Sequence, residues 1–110
     1  MRSIRELLTT EEKVWVYIGN EELWADFLRS ADGFTFGELP RDKWKFGHVI
    51  GVHSDGTMGH VSLFLWSCSF SENAENYPKK IDFSKFINGG SDYLCERSHF
   101  SGRLMFSAQK

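Results

Sequence analysis

The chain has 110 residues, 41% hydrophobic and 25% charged, with two prolines. That is enough for one domain with its own core and no staples, and the balance excludes intrinsic disorder. Thirteen basic against fifteen acidic residues give a net charge of -2, which excludes a broad basic footprint for nucleic acid.

The start, MRSIRELLTT, has no apolar stretch of signal-peptide length, and Leu63-Phe64-Leu65-Trp66 is far too short to span a membrane. A cytoplasmic protein with Cys68 and Cys95 reduced is expected, and the missing CxxC knuckle argues against zinc. Ser3 and Glu6 have capping-box spacing and open a short helix carrying Ile4, Leu7 and Leu8. Lys13 to Ile18 reads as a strand. Val14, Val16 and Ile18 face one way, Trp15 and Tyr17 the other, so both sides should be covered. Asn20 caps a helix over 20–32, with Glu21 and Glu22 at its positive end. Leu23, Trp24, Phe27, Leu28 and Ala31 form its apolar stripe, and Gly33 ends it.

Phe34-Thr35-Phe36 is predicted as a short strand, and residues 37–43 as a polar loop. A long hairpin over 44–70 follows, turning at Asp55-Gly56. A two-residue type I′ loop there would pair residues whose numbers sum to 111. One face would then hold Trp44, Phe46, His48, Ile50, Val52, Gly59, Val61, Leu63 and Leu65, and would be the core side. The other would hold Lys45, Gly47, Val49, Gly51, His53, Met58, His60, Ser62, Phe64 and Trp66, with His60 over Gly51 and Phe64 over Gly47. The apolar phase changes near 65–66, which suggests a β-bulge. Residues 71–80 read as a polar loop. Asp82 caps a helix with Phe83, Phe86 and Ile87, the alternative being a strand over 81–86. Tyr93-Leu94-Cys95 and Leu104-Met105-Phe106 are candidate closing strands.

This register divides the histidines. His48 falls on the core face. His53 and His60 become diagonal neighbours, about 7–8 Å apart, over a glycine floor with Phe64 and Trp66. Such a pair offers imidazoles for acid–base work, with His99 as a distant third group, or rings on which a base stacks. A metal would need a third ligand that the face lacks; no metal and no cofactor is expected. The plainer reading is a polar, partly exposed sheet face. A second candidate is the basic loop of Arg41, Lys43, Trp44 and Lys45. Arg97 and Arg103 flank a segment suited to an anion or to plain solvent exposure. No GxSxG, Walker loop or HExxH is present.

Residues 16–40, VYIGNEELWADFLRSADGFTFGELP, resemble a pattern of small phage and prophage proteins. There a strand leads into a Glu-rich helix start, an FL-x-x-A helix, a glycine and a short aromatic strand. The matching residues are Glu21, Glu22, Phe27, Leu28, Ala31, Gly33, Phe34 and Phe36. The resemblance implies a counter-defence factor, such as an anti-CRISPR protein that inhibits by binding or a sponge for nucleotide signals. It transfers no functional residue.

The expected fold is a single α+β domain over 1–110, a mainly antiparallel sheet around the hairpin with the 20–32 helix packed on its apolar face. The expected function is stoichiometric, non-catalytic binding of a host protein, a defence nuclease, through exposed aromatics and the loop residues Arg41, Lys43, Trp44 and Lys45, while the face of His53, His60, Phe64 and Trp66 is the one on which a ligand binder would stack a base. An oligomeric nucleotide-sequestering protein and a histidine-dependent hydrolase or nuclease are the alternatives.

Overall fold

β1 (Lys13–Tyr17) is an inner strand of a four-stranded sheet ordered β3-β2-β1-β4. The computed structural model describes residues 2–71 and 74–95. β1 pairs antiparallel with β2 (Val49–His53), which pairs antiparallel with β3 (Met58–His60); β4 (Lys79–Asp82) joins β1 in parallel. The sheet is thus mostly antiparallel with one parallel edge. The alternation in β1 works as its sequence implies. Val14, Val16 and Ile18 enter a large core with Ile50, Val52, Phe27, Ile81, Phe83 and Phe86. Trp15 and Tyr17 pack on the opposite face against a smaller core of Val49, Trp66, Phe70 and Cys95.

The N-terminal capping box is present, with Ser3 accepting from Arg5 N and Glu6 from Ser3 N, and it opens a 3-10 helix over Ile4–Leu8. The single long helix over 20–32 is not found. Asn20 does cap, but its side chain and its carbonyl both take the Leu23 amide, three residues on. That closes a 3-10 turn at Glu21–Leu23, and a seven-residue α-helix, α1 (Trp24–Ser30), follows. Its buried face still packs on the sheet side of the large core, with Phe27 edge-on to Phe83 at 5.5 Å.

The 44–70 hairpin is also replaced by something shorter. Asp55 has a negative φ, so a type I′ loop is excluded. The loop holds three residues, Ser54-Asp55-Gly56. It is closed by Gly56 N donating to His53 O at 3.0 Å and His53 N donating to Thr57 O at 2.9 Å. Gly56 takes φ +94°, the left-handed residue such loops need. The Asp55 carboxylate fixes the loop by accepting from Thr57 N and Oγ1 at 3.0 and 2.7 Å. Partners are therefore Val52–Met58, Gly51–Gly59 and Ile50–His60, one residue away from the expected register. This flips β3: Met58 enters the large core and Val61 packs on the smaller one.

β3 ends because Ser62 caps a helix, its Oγ accepting from Leu65 N at 3.1 Å. α2 (Leu63–Cys68) takes the place of the expected bulge. The change of apolar phase marked a change from strand to helix period, and Trp66 and Phe70 share one side, four residues apart, with rings at 5.3 Å. Phe34-Thr35-Phe36 forms one bridge, Thr35–Thr57, and Tyr93-Leu94-Cys95 forms one, Ile81–Leu94. Each lies along an outer strand, at β3 and β4 respectively, and so shields an edge from further pairing. β4 lies where a loop was expected, and Asp82 caps α3 (Phe83–Ile87), accepting from Lys85 N. The candidate strand at 104–106, His99, Arg97 and Arg103 lie outside the described residues. No helix among the described residues is long and apolar enough to cross a membrane.

Candidate binding surface

An aromatic row leads from the core to the surface. Trp24 stacks on buried Phe27 at 5.5 Å and meets Phe36 at 6.3 Å. Phe36 then stacks on the His60 ring at 5.3 Å and meets Trp44 edge-on at 5.0 Å. The Trp44 indole N–H donates to Leu39 O at 3.0 Å, and the Arg41 guanidinium lies 5.1 Å from its ring. His60 Nε2 lies 2.9 Å from Lys45 O. A carbonyl only accepts, so the proton sits on Nε2 and, in the neutral ring, Nδ1 is left as the acceptor. Two regions that looked separate in sequence, His60 and the loop of Arg41, Lys43, Trp44 and Lys45, thus form one surface joined by Phe36. Arg41, Lys43, Lys45 and His60 are exposed, and Trp44 is half-buried.

No family model matches the chain, and neither a curated protein nor a solved structure does. What the surface does has to follow from its own chemistry.

The rest of the expected site is dispersed. His53 alternates with Gly51 and Val49, whereas His60 pairs with Ile50, so the two histidines occupy opposite faces of the sheet. They are not a pair for acid–base work or for a shared metal. His53 lies across from Lys13 at the other end of β2, beside the loop in which Thr57 holds the Asp55 carboxyl below its ordinary value through its hydroxyl and its amide. His48, expected in the core, is exposed; its Nδ1 lies 3.2 Å from Gly19 O and its ring sits edge-on to Phe46. Trp66 is fully buried and stacked on Tyr17 at 5.5 Å, so it offers no face to a base. Among the described residues, no three of His, Cys, Asp and Glu gather as a metal requires.

Phe64 lies on the surface. It is 75% exposed, between Leu63 and Leu65 at 46% and 45%. Leu63 follows His60 by three residues, which places its Cα within ~11 Å of that of His60. Leu39, whose carbonyl holds Trp44, is also exposed. On a strand Leu63 and Leu65 would face the core, but as the first turn of α2 they are exposed. Ser62 followed by a polar-poor run was the available sign of a helix start.

Proposed function

We propose that this chain is a non-catalytic protein-binding protein, with the exposed start of α2 and the adjoining Arg41–His60 surface as its contact region. One observation carries the reading: three consecutive large apolar side chains, Leu63, Phe64 and Leu65, stand out in solvent. Soluble proteins rarely leave such a run uncovered without a use for it. Three residues before it in the chain, His60 belongs to a surface with an arginine over a tryptophan ring and an aromatic support, residue types that dominate binding energy in protein interfaces. The separation of His53 from His60 weakens the hydrolase alternative, and the burial of Trp66 weakens the base-stacking one.

The class of partner comes from the resemblance of residues 16–40 to small phage proteins: a nuclease of bacterial defence, blocked by occupation. The test is titration of the chain into a purified RNA-guided nuclease cleaving its target DNA. Inhibition should reach an end point at a fixed molar ratio. Phe64→Asp and Arg41→Ala should each weaken it, Phe64→Asp by about 2 kcal/mol, roughly thirtyfold. His53→Ala should change nothing. Inhibition far below stoichiometry, or unchanged by Phe64→Asp, would remove this reading.

A further inference from the structure

Lys80 is the buried charged side chain among the described residues, only 8% exposed. The parallel pairing places it beside Trp15, on the face of the sheet that carries the smaller core. Its Nζ lies 5.2 Å from the Phe70 ring centroid. Among the described residues no carboxylate forms an ion pair with it, whereas its neighbour Lys79 pairs with Glu11 at 3.2 Å. Lys80 also lines an open cleft of about 420 Å³ whose wall is mostly apolar, with Ala74, Tyr77, Pro78 and Leu94, and which also carries the charged residues Glu11, Glu75 and Lys79. β4 is the sheet edge opposite β3, so this cleft is separate from the Arg41–His60 surface.

A buried lysine that lines a cleft and forms no ion pair among the described residues is in a state that makes an amine nucleophilic, because desolvation disfavours the ammonium. The geometry points to Lys80 as a covalent capture site for a small, uncharged, largely apolar aldehyde held between Tyr77, Pro78 and Leu94. The Nζ lone pair adds to the carbonyl carbon, and one N–H proton passes to the oxygen, giving a carbinolamine. The hydroxyl then leaves as water with a second proton from nitrogen, and the C=N bond forms. Amine plus aldehyde thus gives imine plus water, with no oxidant or reductant.

Burial lowers the Lys80 pKa from its ordinary value, the direction that favours the neutral amine, and only an ionised Cys95 would oppose it. Cys95 does not compete. Burial first, then the Asp82 charge, pushes its thiol up to about 12, so it stays protonated near neutral pH. The thiol and the amine are held together by the backbone, Cys95 N donating to Lys80 O at 2.7 Å.

The test is reductive trapping of the full chain with benzaldehyde and cyanoborohydride at neutral pH, read by peptide-resolved mass spectrometry. Lys80 should gain the benzyl group roughly tenfold faster than Lys79 and Lys85 in the folded protein, and at about the same rate in urea. Lys80→Arg, which keeps the charge, should abolish the fast adduct without transferring it to Lys79. Ala74→Phe, which fills the cleft, should slow the Lys80 adduct about fivefold while leaving Lys85 alone. Lys80 reacting no faster than Lys79 in the folded chain overturns the proposal, whether or not the variants fold. A fast adduct indifferent to Ala74→Phe overturns the role of the cleft.

Discussion

The His60 ring occupies the space in which a side chain at Gly47 would begin. A β-carbon there would stand 2.3 Å from His60 Cδ2 and 3.3 Å from Ile50 Cδ1. The ring cannot swing away freely, since Phe36 stacks on it and Lys45 O takes its Nε2–H. Gly47→Ala should therefore cost about 1–3 kcal/mol as an overpacking change. In a His60→Ala background most of that cost should vanish. A double-mutant cycle by urea unfolding measures the difference, and additive effects would mean that the contact does not exist in solution.

The hairpin loop makes a second expectation. A β-carbon at Gly56 or at Gly59 would meet no atom within 4 Å, but only Gly56 has a left-handed φ, +94°. Gly56→Ala should lose about 1–2 kcal/mol from backbone strain alone. Gly59→Ala should stay within about 0.5 kcal/mol of wild type. Equal costs at the two positions would argue for a loop other than Ser54-Asp55-Gly56.

These glycines also show where the sequence was legible. Asp55-Gly56 correctly marked a turn, and the alternation of β1 correctly marked a strand covered on both sides, because period and turn chemistry are local. What failed was the loop length, which depends on the Asp55 carboxylate bonding Thr57 and on the sign of φ at Asp55. One residue of slip then put His53 and His60 on opposite faces and Val61 on the wrong core. A ring over a glycine was the right idea with the wrong partners: Trp15 covers Gly51, and His60 covers Gly47. Trp66 was misplaced because a six-residue helix is too short for its period to stand out from a strand. Lys79 and Lys80 hid β4, since burial of a lysine in an aromatic core is a tertiary fact.

Arg2 clamps the N-terminal 3-10 helix to the end of α3. Its guanidinium lies 4.4 Å from the Phe86 ring centroid and 5.2 Å from that of Tyr93. Its Nη1 donates to Phe86 O and Gly90 O at 3.1 and 2.8 Å. Arg2→Ala should destabilise the fold by about 2–3 kcal/mol. Arg2→Lys should recover less than half, because an ammonium cannot both lie against two rings and reach two carbonyls. Glu6→Gln, which removes the exposed ion pair with Arg2 and leaves one acceptor oxygen to keep the capping bond from Ser3 N, should cost about 1 kcal/mol or less. Chemical denaturation of the three variants separates the contributions, and a Glu6→Gln loss as large as that of Arg2→Ala would show that the ion pair, not the clamp, holds the end of α3.

Cys95 sets the alkaline limit of the fold. Its pKa rises from an ordinary 9.0 to about 12, so the folded chain keeps a proton that the unfolded chain releases. The stability associated with the buried neutral thiol is therefore fully present below pH 9 and is lost as pH climbs toward 12. Linkage puts the whole span at no more than ~4 kcal/mol. Lys80 acts in the opposite sense. Its folded pKa is lowered, so the unfolded chain binds the extra proton, and stability rises with pH until the ordinary lysine value of 10.5 is passed. The Cys95 contribution is isolated by comparison with Cys95→Ala, which leaves Lys80 in place. Wild type should be the more stable protein at pH 7, by about 1–2 kcal/mol for a buried thiol treated as a small hydrophobe. From pH 9 upward that advantage should shrink and then reverse, since only wild type has a thiol to ionise. Urea midpoints at pH 7, 9, 10 and 11 decide the matter. A difference that stays constant across this range would mean that the Cys95 thiol ionises as readily in the folded chain as in the unfolded one.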